Sequence, residues 1–478
     1  AAEVSGAAVR SAFPARVWLA VLTCLLISPT ARAVAAPLIV RGGDTIQLRF
    51  EPGINDDPPP AQDAAAAIHF LIRHDIHVLK TVRGGDELGG PLLKRGVFLW
   101  MNVQFEVGLR TDGFDAVVLD FTEATAPIQR NAFVLTELLA QVTAAIGPDR
   151  TTALVGASMG GLVSRYALAW LERNGGHNVR TWISFDAPHT GANIPLGLQH
   201  WLRFFQGESE DAAFLLSRLD TPAARQMLLY HYGSTVGSTA APDPLFADFR
   251  ADLAALGDWP AQPRRVAVAN GSGLGADQGF AAGDQIILYE YRSLLADIDG
   301  NVWAVPDGGS ATIFDGMINL IWPLPDTDET VTVAGTLPWD GAPGGSRASM
   351  AQMDTTAVPY GDIQALHDRH CFIPTVSALA LEGAGPFFDV AGAPDLTTLT
   401  AFDAVYWPAG NQEHIAITAE NKPWFMDEIS AGVSDAPLMA AAPGLVLHPA
   451  APNPFNPHTV IRFETGAPGR VELGIYDL

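Results

Sequence analysis

From about residue 61 the chain alternates between helical and strand periods. The spacing predicts a helix over 61–73, a strand over 76–82 running into Arg83-Gly84-Gly85-Asp86, and a helix over 92–109. Next come a strand over 114–121 (FDAVVLDF), a helix over 127–146 opened by Pro127, a strand over 151–156, a helix over 159–173 and a strand over 179–185. Serial strand–helix units of this kind imply an α/β fold built on a parallel sheet with right-handed crossovers, and strands this apolar fit burial on both faces. After Pro188 the alternation lapses until a strand over 265–269. The intervening stretch, about 190–263, carries helical runs and reads as a cap. Residues 284–345 hold short β-like runs broken by Gly, Pro and Asp and read as a β-rich insertion. The chain is expected to return to the core over 371–381 and 404–418. From Ala436 the composition turns to Ala and Pro, giving a linker over 436–451. Alternating strands over 459–463 and 471–476 follow, the opening of a β-sandwich left incomplete at Leu478.

Upstream, Arg10 and Arg16, the apolar run Val17 to Ile27, and Ala31-Arg32-Ala33 or Ala33-Val34-Ala35 form the three parts of a secretory signal over 1–35. The run is shorter than the roughly 20 residues that span a bilayer, so the chain is expected to be secreted or at the cell surface. One large domain over 36–435 follows. Hydrophobic residues make up 48% and charged residues 17%, which excludes a disordered polymer. With 28 Lys and Arg against 52 Asp and Glu, a net charge of −24 excludes a nucleic-acid partner. Two cysteines, Cys24 and Cys371, exclude a disulfide scaffold and a four-thiolate zinc site. His367-Asp368-Arg369-His370-Cys371 and the acidic run 326–329 read as loops rather than metal sites, so no metal is assigned.

The strongest chemical signal is Gly156-Ala157-Ser158-Met159-Gly160, a G-x-S-x-G between an apolar strand and a helix. A nucleophile on a sharp strand-to-helix turn needs small residues on either side, so that the helix can approach the strand while the Ser158 hydroxyl projects. The helix N-terminus and the Met159 N–H then face a developing oxyanion.

The run Leu154 to Trp170 (LVGASMGGLVSRYALAW), with Phe185 to Asn193 (FDAPHTGAN) and Phe372 to Leu379 (FIPTVSAL), resembles α/β-hydrolase-fold lipases and esterases, most closely a secreted bacterial lipase-like subgroup. The likeness covers roughly 76–430. It implies a Ser–acid–His triad, an acyl-enzyme intermediate, an ester or lipid substrate, and an oxyanion hole of two backbone N–H groups. No cofactor is implied. The second oxyanion donor is expected from Arg83-Gly84-Gly85-Asp86, with Gly85 as the representative position, because glycine can turn its N–H inward. The base follows the nucleophile in chain order, and His414 in Asn411-Gln412-Glu413-His414 is favoured over His189, His367 and His370. For the acid, Asp403 is favoured over Asp277, while Asp186 reads as a carboxylate that fixes its own turn.

Pro452-Asn453-Pro454-Phe455-Asn456-Pro457 resembles the start of an Ig-like domain of flagellar hook-capping type, found at the end of exported bacterial proteins including type IX secretion cargo. The resemblance implies contact of 452–478 with the cell surface or the secretion machinery. Taken together, the residues point to an exported serine hydrolase cleaving carboxylic esters. An amidase, peptidase, thioesterase or polyester depolymerase on the same triad, and a non-catalytic surface-binding protein, are the alternatives.

Overall fold

The computed structural model describes residues 76–82, 96–99, 115–121, 123–146, 151–321, 325–355, 361–432, 445–447 and 463–465. The expected signal over 1–35, the helix over 61–73, Gly85 and the motif 452–457 lie outside the described residues.

Among the described residues the central sheet has seven strands: β1 (Ile76–Val82), β2 (Gly96–Leu99), β3 (Asp115–Phe121), β4 (Thr152–Ala157), β5 (Val179–Phe185), β6 (Arg264–Val268) and β14 (Ala404–Tyr406). They lie in the order β1-β3-β2-β4-β5-β6-β14. All neighbours run parallel except β1, which pairs antiparallel with β3. Alternation along the strands divides the core. Leu154, Trp182 and Ala267 join a cluster with α1 (Ile128–Ile146) and α2 (Met159–Asn174) on one face. Their neighbours Val155, Ile183, Val266 and Val268 pack on the other face with Phe425 and Ile429, which lie in a C-terminal helix over 421–432. A sheet covered on both sides needs strands apolar at nearly every position, and all six residues of β4 are buried.

Between β5 and β6 the chain forms α3 (Leu196–Phe205), α4 (Glu210–Leu219), α5 (Pro222–Met227) and α6 (Pro244–Ala255). Three of these start on side-chain caps: Ser209, Thr221 and Asp243 accept from backbone N–H groups in the first turn, the last two just before a proline. Between β6 and β14 lies a second sheet of β7 (Gln285–Arg292), β8 (Ala296–Trp303), β9 (Ser310–Leu320), β10 (Thr327–Ala334) and β12 (Ile363–Ala365), antiparallel in the order β10-β9-β8-β7-β12. Helix α3 ties the helical segment to it: Phe205 meets Tyr289 at 5.9 Å and Phe204 meets Phe314 at 5.5 Å between ring centroids. The same stretch carries β11 (Gly344–Arg347), α7 (Ser349–Asp354), β13 (His370–Pro374) and α8 (Thr375–Ala378), and the helix over 421–432 is α9.

One expectation is corrected. The helix expected over 92–109 contains β2, because a short apolar run such as Val97-Phe98-Leu99 carries no period that separates a buried strand from a helix. The return to the core over 371–381 is met: Cys371, Ile373, Val376 and Leu379 are buried in the same cluster as Leu154 and Trp182, with β13 paired antiparallel to β11. Within the stretch read as a linker over 436–451, β15 (Leu445–Leu447) pairs antiparallel with β16 (Phe463–Thr465).

Candidate active site

Ser158 sits between β4 and α2 with φ 53° and ψ −128°, a conformation that costs a non-glycine residue energy and persists only where its surroundings enforce it. Its N–H donates to Phe185 O at 2.8 Å, and its carbonyl accepts from Gly161 N at 2.9 Å. A Cβ on Gly156 would lie 2.4 Å from both Gly160 O and Ser164 Oγ, so only glycine lets the helix close over the strand here. Met159, the first residue of α2, is buried, and helix geometry provides no acceptor within α2 for its N–H.

The imidazole of His414 spans two side chains. Its Nε2 is 2.8 Å from Ser158 Oγ, and its Nδ1 is 2.7 Å from Asp186 Oδ2. Asp186 directly follows β5 and is fully buried, with φ 45°. Its Oδ1 accepts from Asn270 N at 3.0 Å, and its own N–H donates to Val268 O at 2.6 Å. Of the five described non-glycine residues with positive φ, three are Ser158, Asp186 and Ile415, the neighbour of His414. Backbone strain is thus concentrated where the three side chains meet. Burial lowers the His414 pKa below 6.5, opposed by its contact with Asp186; Arg347 lowers it further and Glu413 raises it. The ring is therefore neutral near pH 7, the state that accepts a proton. Phe372 covers one side of it edge-on, with ring centroids 4.8 Å apart.

Asp403, the carboxylate favoured from sequence, stands elsewhere. It precedes β14 and accepts from Arg265 N at 2.8 Å, with the Arg265 guanidinium 3.4 Å away. Arg265 lies at the start of β6, so Asp403 is at the end of the parallel strands opposite Ser158. Asp277 is exposed and accepts from Gly279 N. The carboxylate that meets His414 is instead that of Asp186, read from sequence as fixing its own turn. The usable signal was its place directly after the strand next to β4, at the end where parallel strands present chemistry.

Gly85 lies outside the described residues. Among the described strands, β1 runs antiparallel to β3, with Val82 paired to Ala116, and the strand that ends beside β4 is β2, with Leu99 paired to Val155.

The other three candidate histidines are engaged otherwise. His189 Nε2 is 2.6 Å from Ser184 Oγ, its ring enclosed by Trp182, Trp259 and Phe402, and burial holds its pKa well below 6.5. His370 faces Ser349 Oγ at 3.1 Å, and burial pushes it down to about 4. His367 lies against Phe280. Among the described residues no group of three or more His, Cys, Asp or Glu is placed to hold a metal ion, and no helix is long and apolar enough to cross a membrane.

No family model matches the chain, and no curated protein matches it in sequence. Among solved structures it is similar to the mature form of a lipase from Bacillus licheniformis, at 19% identity over 40% of this chain and 72% of that one, TM-score 0.25. It is also similar to a lipase-esterase related protein from Clostridium acetobutylicum (15% identity, 40% and 79% of the two chains, TM-score 0.21). A type II thioesterase of the yersiniabactin pathway aligns at 15% identity over 29% and 65%, TM-score 0.22. Overlaps this partial leave the chemistry to be read from the chain's own site.

Proposed function

We propose that this chain is a serine hydrolase of the α/β-hydrolase fold that cleaves carboxylic esters, with Ser158 as nucleophile, His414 as base and Asp186 as acid. The observation that carries the reading is the continuous path of 2.8 and 2.7 Å from Ser158 Oγ through the imidazole to a fully buried carboxylate. The chain order Ser, Asp, His is the order this fold uses.

In this reading Ser158 Oγ attacks the acyl carbon and its proton passes to His414 Nε2. The carbonyl π pair moves onto oxygen, where the Met159 N–H and the positive end of α2 stabilise it. Asp186 holds the Nδ1–H and stabilises the imidazolium without taking its proton. The tetrahedral intermediate collapses, the C–O bond to the alcohol breaks, and the leaving oxygen takes the proton from Nε2. Water then gives a proton to His414 and its oxygen to the acyl carbon; collapse releases the acid and returns the proton to Ser158. The helices over about 190–263 form a cap and the antiparallel sheet an accessory layer. The leader over 1–35 directs export, and 452–478 contacts the cell surface or secretion machinery.

A panel of acyl esters of graded chain length, set against matched amides and thioesters, tests the reaction class. Ester turnover that disappears in Ser158→Ala supports the reading. Faster turnover of amides or thioesters than of every ester, or ester turnover that persists in Ser158→Ala, overturns it.

A further inference from the structure

His414 is carried by residues 411–416, which belong to no helix or strand, so other groups must fix the imidazole in register with Ser158 and Asp186. From one side β11 grips this loop: Ser346 N donates to Gln412 O at 2.9 Å, and His414 N donates to Ser346 O at 3.0 Å. On the other side stands Asn270, just past the end of β6 and fully buried; Asn421 Nδ2 also donates to Ala416 O at 2.9 Å, and Ser272 N to Asn411 Oδ1 at 2.9 Å. The Asn270 backbone N–H donates to Asp186 Oδ1 at 3.0 Å, and its carbonyl accepts from Gln412 N at 2.8 Å. Its side-chain Nδ2 donates to Gln412 Oε1 and to Ala416 O, each at 3.0 Å. Asn270 thus holds the carboxylate of the acid and brackets the base on both sides.

We infer that Asn270 is a positioning residue that locks Asp186 and the His414 loop into one unit; the inference rests on the proposed triad. Two acceptors face its amide nitrogen, so the chemistry required at this point is that of a neutral donor. A carboxylate would lose both donated bonds and bring a second negative charge to the buried Asp186.

The charged and titratable groups facing His414 are Asp186 at the end of β5, Arg347 of β11, and Glu413 on its own loop, with Arg369 paired to Glu413. Cys371 of β13 lies beside Asp186, and burial keeps its thiol protonated. Loosening the loop lets water reach the ring and relaxes its depressed pKa upward. A carboxylate at 270 moves it in the same direction.

The test is the pH profile of kcat/KM for an ester substrate, in the wild type and in Asn270→Asp and Gln412→Ala. The base must be neutral, so activity falls as pH drops through the His414 pKa. Asn270→Asp is expected to lower kcat on the order of 10–100-fold with KM within about twofold, and to move the acid limb up by about one pH unit. Gln412→Ala, a half-buried loop change that removes one of the two acceptors, shifts the limb the same way by less. A folded Asn270→Asp with the wild-type kcat and acid limb overturns the inference. If that variant does not fold, an unmoved limb in Gln412→Ala overturns it. Fluorophosphonate labelling of wild-type Ser158 separates this result from the triad itself: an unlabelled wild type sinks the triad, whereas a labelled wild type with unmoved profiles sinks only the role of Asn270.

Discussion

Asp186 and Asp403 are both aspartates at strand termini of the central sheet, and they do opposite work. Asp186 follows β5, is fully buried, and lies 2.7 Å from the imidazole of His414. Asp403 precedes β14, has a side chain 41% exposed, and ties the strand to Arg265 at the start of β6. In a parallel sheet all the carboxyl ends face one way, so a residue after a strand reaches the end where Ser158 stands and a residue before one reaches the far end. Spacing to His414 along the chain favours Asp403, eleven residues away against 228, but strand polarity decides.

That contrast can be tested from both sides. Asp186→Asn leaves a similar shape but removes the charge that stabilises the imidazolium and alters the tautomer; kcat for ester hydrolysis should fall on the order of 10³–10⁴-fold. A fall of less than tenfold would move the acid role elsewhere. Gly345→Ala is a gentler way to disturb the same carboxylate. A Cβ there would lie 2.0 Å from Asp186 Oδ2, so the carboxylate must shift against His414. Steady-state kinetics should show a loss of about 10²-fold, since a displacement near 1 Å can cost that much. Unchanged kinetics in the folded variant would mean the acid has more room than its packing indicates. Asp403→Asn completes the series with the smallest effect. kcat/KM should stay within about twofold, and thermal unfolding should show a loss of no more than about 1 kcal/mol, as for an exposed ion pair. A kinetic defect approaching that of Asp186→Asn would reverse the comparison.

The strands and helices flanking Ser158 were legible because burial on both faces leaves continuous apolar runs such as Leu154-Val155 and Trp182-Ile183. Ser158 and His414 could be nominated from local composition, and the structure brings their side chains to 2.8 Å. Asp186 could not be placed, because hydrophobic alternation reports that a segment is a buried strand but not which way it runs. Once β5 is seen to be parallel to β4, the residue after it falls at the same end of the sheet as Ser158. Asn270 was equally hidden, since its role is a set of contacts to residues 84 to 146 positions away.

The central claim is that Ser158, His414 and Asp186 act as one acyl-transfer unit. Its most direct measurement is the rate and position of fluorophosphonate labelling, mapped by peptide mass spectrometry, in the wild type, Ser158→Ala and Asp186→Asn. The account predicts one label per chain on the peptide carrying Ser158, none in Ser158→Ala, and labelling slowed by orders of magnitude in Asp186→Asn. An unlabelled wild type, a label on another residue, or wild-type labelling in Asp186→Asn would contradict it.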